Sequence, residues 1–355
     1  MPAFEKPYPP NPITYSHYNT LVDALEARFG SGAAGFISDR TKIVNSRGNI
    51  WDKAAGNIQS AIEDILADTG GAVWLPKGKI TETQPWTIDE VYPVHVYGAG
   101  MCYHDLDYGT MIKFNVGSGV HCIDIGKVGD TVHFGGLYDM TLFPGSGDRD
   151  VVHLDRVSDW HMERVYMNQP RRHGLHVEST GDSWNLWVKD GLIENAAQVG
   201  IRLEGGASAG VILKSYFLNN YFYSNGIDIE AGALDGTSGK VRLCQFHNNQ
   251  HFNTDGVGMK LYRLVEQILV MGAIFYATGG DAIDVDDDGA GNKCSRLNFG
   301  PLQIDGQSTT PNGVDLGGYT DHVVIDNYQI WGVTGTAVNQ GVNVTNITKG
   351  DGYES

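Results

Sequence analysis

Along residues 119–341 a five-residue motif recurs: a small residue, then apolar, variable, apolar, variable. It reads Gly119-Val120-His121-Cys122-Ile123, Val151-Val152-His153-Leu154-Asp155, Gly174-Leu175-His176-Val177-Glu178 and Gly200-Ile201-Arg202-Leu203-Glu204. It continues as Gly226-Ile227-Asp228-Ile229-Glu230, Gly258-Met259-Lys260-Leu261-Tyr262, Ala282-Ile283-Asp284-Val285-Asp286, Gly313-Val314-Asp315-Leu316-Gly317 and Ala337-Val338-Asn339-Gln340-Gly341. Successive copies lie 32, 23, 26, 26, 32, 24, 31 and 24 residues apart. Alternation with period two is the signature of a strand with one buried face. Between copies run second apolar stretches that end in polar turns, such as Val188–Asn195, Leu213–Asn220, Val241–Asn249 and Val323–Asn327. A repeat this short leaves no room for a crossover helix, which needs a unit of roughly 30 or more residues. Two or three short strands per repeat, with surface loops absorbing the length differences, make one coil of a β-solenoid.

The N-terminal third reads differently. Residues 1–16 contain five prolines and predict an extended arm, and His17–Phe29 predicts a short helix ended by Gly30. Asn57–Ala67 places Ile58, Ala61, Ile62, Ile65 and Leu66 at helical spacing, and Asp68-Thr69-Gly70-Gly71 stops it. Strands follow at Ala72–Leu75 and Val94–Gly100.

Composition agrees with many turns. The 47 glycines are scattered rather than clustered, and 41% hydrophobic residues suffice for a buried interior. A net charge of −17 argues against a nucleic-acid partner. No apolar run approaches the roughly 18 residues of a membrane span, and the opening MPAFEKPYPPNP lacks the apolar stretch of a signal peptide. Cys102, Cys122, Cys244 and Cys294 have neither a disulfide framework nor a metal-binding spacing.

The segment Asn57–Gly78, a helix leading into AVWLPKG, followed by VHVYGAG, resembles the opening of the pectate-lyase-like superfamily of right-handed parallel β-helices. The resemblance implies a capping helix over the first coil. It covers about residues 54–347, between an arm (1–53) and a tail (348–355). That superfamily includes polysaccharide lyases, glycoside hydrolases and phage tailspikes. No catalytic signature of an individual family accompanies the architecture, and fold alone does not carry activity.

On a solenoid the variable positions of the repeat face outward and stack into columns. The first column is expected to run His121, His153, His176, Arg202, Asp228, Lys260, Asp284, Asp315, Asn339. The second is expected to run Ile123, Asp155, Glu178, Glu204, Glu230, Tyr262, Asp286. Four successive carboxylates beside imidazoles and a guanidinium form the kind of electrostatics found at sites, although an outward column is also an ordinary solvated face. Two chemistries fit. In β-elimination on a uronate, Arg202 or Lys260 neutralises the sugar carboxylate, His176 or His153 takes the proton, and the Glu ladder holds Ca²⁺. In hydrolysis, two carboxylates among Glu178, Glu204, Asp228 and Glu230 flank the glycosidic bond.

Seven of the 25 Lys and Arg residues fall within 149–202, so Arg171, Arg172 and His173 become candidates for binding an anionic glycan, with Glu230, Tyr262 and Asp284 further along. Trp184, Trp187, Tyr221, Phe222 and Tyr223 could stack on sugars, but core packing is the expected role. Asp284–Gly289 resembles a Ca²⁺ loop in composition while lacking its spacing, which favours an acidic turn. The expectation is a polysaccharide-degrading enzyme, lyase before hydrolase, needing no cofactor or else Ca²⁺. The alternatives are a glycan-binding tailspike or adhesin, extracellular or on a virion and assembled as a homotrimer, and a purely structural solenoid.

Overall fold

The computed structural model describes residues 42–102, 109–145, 150–206, 210–233, 238–286, 293–317, 319–342 and 344–354. The Pro-rich arm and the helix expected at His17–Phe29 lie outside them. The described chain is almost entirely β-strand around a single helix, Asn57–Leu66.

Ten strands, one per coil, form a wholly parallel sheet: Trp86–Ile88, Ile123–Ile125, Val152–Leu154, His173–Ser179, Val199–Gly205, Ile227–Ala233, Met259–Tyr262, Ile283–Asp286, Val314–Leu316 and Val338–Gln340. The remaining strands join in a 27-stranded sheet that wraps the other sides. It is parallel throughout except at its start, where Lys42–Asn45 pairs antiparallel with Ile50–Asp52 and Gly71–Trp74. Parallel pairing continues to Gly352–Glu354, which adds to Tyr328–Trp331. The result is a right-handed parallel β-helix with an N-terminal capping helix.

Alternation makes the interior. Ile123, Val152, Leu175, Ile201, Ile229, Met259, Ile283, Val314 and Val338 stack in one register column, and all are at most 5% exposed. Each such burial contributes about 1.5–3 kcal/mol before chain entropy is subtracted. Aromatic stacks fill the opposite wall, with Phe217 on Phe246 at 4.8 Å between ring centroids.

The corners need polar solutions, because backbone groups at a bend lose their ladder partners. Asn249 accepts from the Asn220 backbone N–H at 2.9 Å and donates to the Phe217 carbonyl at 3.1 Å, while Asn220 repeats this with Gly191 and Val188 one coil earlier. The cap forms because Ile58, Ala61, Ile62 and Ile65 share one helix face and are fully buried over the first coil. Gly70, at φ 80°, turns the chain off the helix and donates to the Ile65 carbonyl, and a Cβ there would lie 2.2 Å from the Pro93 carbonyl oxygen.

Seven of the nine repeat copies occupy the ten-stranded sheet in the expected register, and two do not. At the first, Ile123–Ile125 rather than Val120–Cys122 forms the strand, so Asp124 and not His121 pairs with His153, and Ile123 faces inward. At the fifth, Arg202 pairs with Glu230 and not Asp228.

Candidate functional site

The outward row therefore reads Asp124, His153, His176, Arg202, Glu230, Lys260, Asp284, Asp315, Asn339. Two residues further along each strand, Glu178, Glu204, Gly232, Tyr262 and Asp286 form the second row. The expected four-carboxylate ladder is not made. Asp155 turns aside to accept from the Thr180 backbone N–H and hydroxyl at 2.8 and 2.6 Å, and Glu230 belongs to the first row. Only Glu178 and Glu204 stand side by side.

Instead, acids and bases alternate. His153 Nδ1 lies 2.8 Å from Asp124 Oδ1, and its Nε2 is 3.6 Å from Glu178 Oε2. His176 Nδ1 lies 2.9 Å from Asp150 Oδ2, and its Nε2 is 3.0 Å from Glu204 Oε2. Arg202 donates to Glu204 at 2.8 Å and reaches within 3.6 Å of Glu230. Asp150 has no solvent exposure, and it also faces Arg172 Nε at 2.9 Å and His121 Nδ1 at 3.2 Å. His121 lies flat on His153, with centroids 4.2 Å apart.

These contacts set the protonation states. Burial works against a charge on His153, but Asp124 and Glu178 outweigh it and push the imidazole up to about 9. His176 is raised by the same balance, with burial opposed by Asp150 and Glu204. Asp150 is held well below the usual carboxylate range, because His121 and His176 overcome the cost of its burial. His173 is pushed by burial down to about 3 and stays neutral. His153 is therefore not a free base at neutral pH.

At the far end of the row the balance reverses. Asp284 lies 4.0 Å from Lys260 and pairs in register with Asp315. Burial first, then the charges of Asp286, Asp281 and Asp315, push its carboxyl up to about 6 despite Lys260. Tyr262, raised by burial and by Glu230 to about 12, remains a neutral phenol.

Among the sequence candidates, His153, His176, Glu178, Arg202, Glu204, Glu230, Lys260, Tyr262, Asp284 and Arg172 thus share one face. His173 is buried beside them, and Arg171 stays exposed and donates to the Gly145 carbonyl. Asp228 is removed from the face: it is fully buried inside the coil and held by Asn225, His251 and Thr254. Two members, Asp124 and Asp150, were missed. The triplet Ile123-Asp124-Ile125 carries the same alternation as the repeat and could have revealed the first, whereas Asp150 precedes its strand and has no periodic signal.

The candidate aromatics stack mainly on one another. Trp187 lies on Tyr216 at 4.2 Å, Tyr221 on Phe252 at 5.0 Å, and Phe222 is interior. Trp184 meets His133 edge-on, and Tyr223 is exposed. Rings stacked along the axis present edges rather than faces outward, which disfavours sugar stacking. Asp287–Gly289 of the acidic turn lie outside the described residues.

No protein-family model matches the chain, and no curated protein matches it by sequence. Solved structures do. The Geobacillus virus E2 protein ORF18 matches with a TM-score of 0.60 at 18% identity, over 85% of this chain. This chain spans only 58% of that protein's length. An exopolygalacturonase from Thermotoga maritima matches with a TM-score of 0.60 at 13% identity, over 85% of this chain and 88% of that one. What these structures share with this chain is the right-handed parallel β-helix. A GH87 α-1,3-glucanase catalytic unit from Streptomyces thermodiastaticus is similar too, with a TM-score of 0.52 at 15% identity over 90% of this chain and 68% of the other. Such likenesses speak for the β-helix and not for a shared reaction.

Proposed function

We propose that this β-helix acts on a polysaccharide laid along the outer face of the ten-stranded sheet and cleaves it by hydrolysis at Asp284 and Asp315. The observation that carries this reading is the Asp284–Asp315 pair: two carboxylates on neighbouring coils, one with its pKa raised to about 6. A general acid near neutrality needs such a value, and a second carboxylate on the neighbouring coil supplies its partner in glycosidic cleavage. The row from Asp124 to Lys260 gives an extended glycan a polar track, and Arg171, Arg202 and Lys260 favour one that carries carboxylates. The β-helix shared with an exopolygalacturonase and a glucanase supports a glycan substrate, and its occurrence in a virus protein is compatible with a virion or extracellular setting.

Elimination is the weaker reading, because of the bases it would use, His153 is raised to about 9 and the carboxylates Asp150 and Glu204 favour the protonated form of His176. The test is incubation of the full chain with a panel of acidic and neutral polysaccharides, following new reducing ends and unsaturated uronate absorbance together. Reducing ends without unsaturation, lost in Asp284→Asn, are expected. Unsaturated products would replace hydrolysis with elimination, and no product from any glycan would sink the enzyme reading.

A further inference from the structure

At the other end of the row, about 19 Å away at four coil spacings, two coils repeat one arrangement. His153 has its Nδ1 on Asp124 and its Nε2 toward Glu178, while His176 has its Nδ1 on Asp150 and its Nε2 toward Glu204. Both imidazoles are thus anchored by a carboxylate at one nitrogen and turned toward glutamates with the other. We propose that His153, His176 and Glu178 bind a divalent transition-metal ion of the Zn²⁺ class.

Three observations converge. Each of the three side chains offers a ligand atom, and these atoms lie within 4.8 Å of one another. The 3.6 Å between His153 Nε2 and Glu178 Oε2 is long for a hydrogen bond, and that buried nitrogen has no hydrogen-bond partner. A tetrahedral ion with bonds of about 2.1 Å spaces its ligands about 3.4 Å apart, close to the 3.6 Å between His153 Nε2 and Glu178 Oε2. Finally, carboxylates holding the Nδ1 atoms are the usual support of metal-ligating histidines.

The charge count favours a divalent cation. Asp124, Asp150, Glu178 and Glu204 face two guanidinium groups, Arg172 and Arg202, leaving two negative charges to neutralise. One divalent ion supplies that charge. Glu230 and Lys260, in register on the next coils, offset each other. The other imidazoles facing the cluster are His121, stacked on His153, and neutral His173. When His176 Nε2 turns to the metal, Glu204 keeps its bond from Arg202, so no buried carboxylate is abandoned. Mixed imidazole and carboxylate donors suit Zn²⁺, Co²⁺ or Ni²⁺ better than Ca²⁺, which takes six to eight oxygens. Three protein ligands leave the coordination open, as in catalytic rather than structural zinc sites.

The test is Zn²⁺ titration of the full chain by calorimetry in buffers of different ionisation enthalpy, with Co²⁺ absorption as a check on geometry. One ion per chain is expected, with proton release on binding. His153→Gln and the half-exposed Glu178→Gln are each expected to weaken binding at least about tenfold, and Asp124→Asn by about 10–100-fold. Melting temperatures without metal report whether each variant still folds. Absence of Zn²⁺ binding, or binding undiminished in folded Glu178→Gln and His153→Gln, would overturn the proposal. The readout is independent of glycan cleavage, so this site and the Asp284 pair stand or fall separately.

Discussion

Asp228 and His251 are hydrogen-bonded inside the solenoid: Oδ2 lies 3.1 Å from Nδ1, and neither residue has any solvent exposure. His251 is also a member of the interior aromatic stack, between Phe222 at 5.0 Å and Phe275 at 4.3 Å. The carboxylate keeps bonds from Asn225 and Thr254, so it ties a corner of one coil to the wall of the next. His251→Phe continues the ring stack but removes one of three hydrogen-bond partners of the buried carboxylate, and a loss of about 1–3 kcal/mol is expected. The double variant with Asp228→Asn is expected to recover part of that loss. Denaturant unfolding of the four proteins gives the coupling energy, and additive losses would mean that the pair is energetically idle.

The asparagine corner makes a second prediction. Asn249→Ala removes the acceptor for both the backbone N–H and the side-chain amide of Asn220, and both are buried. A cost of about 2–3 kcal/mol follows from leaving such donors unsatisfied. Equilibrium unfolding in urea measures it, and a change below about 0.5 kcal/mol would show that the ladder relaxes around the gap.

Glu82 sits under the capping helix without solvent exposure and accepts from the Gly56 backbone N–H at 2.7 Å. Burial raises its carboxyl from 4.5 to about 7. The unfolded chain then ionises first, so stability falls as pH rises from about 4.5 and levels off above about 7. Glu82→Gln keeps an acceptor for Gly56 and removes the charge, and is expected to stabilise the protein above pH 7 by up to about 3 kcal/mol. Melting temperatures of both proteins across that window should diverge as pH rises.

If Asp284 is the general acid, it acts only while protonated. Hydrolysis is then expected to fall as pH rises through about 6, and Asp284→Asn to lower kcat by at least about 100-fold with little change in KM. A rate independent of pH between 5 and 8 would remove Asp284 from that role.

For His153 the sign is opposite to that of Glu82. Its folded value of about 9 lies above the ordinary 6.5, so its stabilisation is complete below about pH 6.5 and fades as pH rises through 9. In the metal-free protein, its ring-proton NMR signals should titrate near 9, and Asp124→Asn should lower that midpoint by about one unit or more.

Much of this molecule was legible in its sequence. Period-two alternation, repeated every 23 to 32 residues, identifies stacked coils, and Ile58, Ala61, Ile62 and Ile65 identify the cap. Placing His153, His176, Arg202, Lys260 and Asp284 in one outward row needed nothing more than the pleat. Tertiary structure decided the register and the partners. In Ile227-Asp228-Ile229-Glu230-Ala231, a slip of two residues exchanges one apolar pair for another and leaves the in-out pattern intact, so Asp228 and Glu230 are equivalent on paper. Only the stacking of whole coils sends Asp228 to the core and Glu230 to Arg202. Asp150 shows the same limit from the other side. It lies outside any strand and becomes central because folding brings His121, Arg172 and His176 around it from the two neighbouring coils. Alternation is a property of neighbours along the chain, whereas the charge balance of the site is a property of neighbours in space.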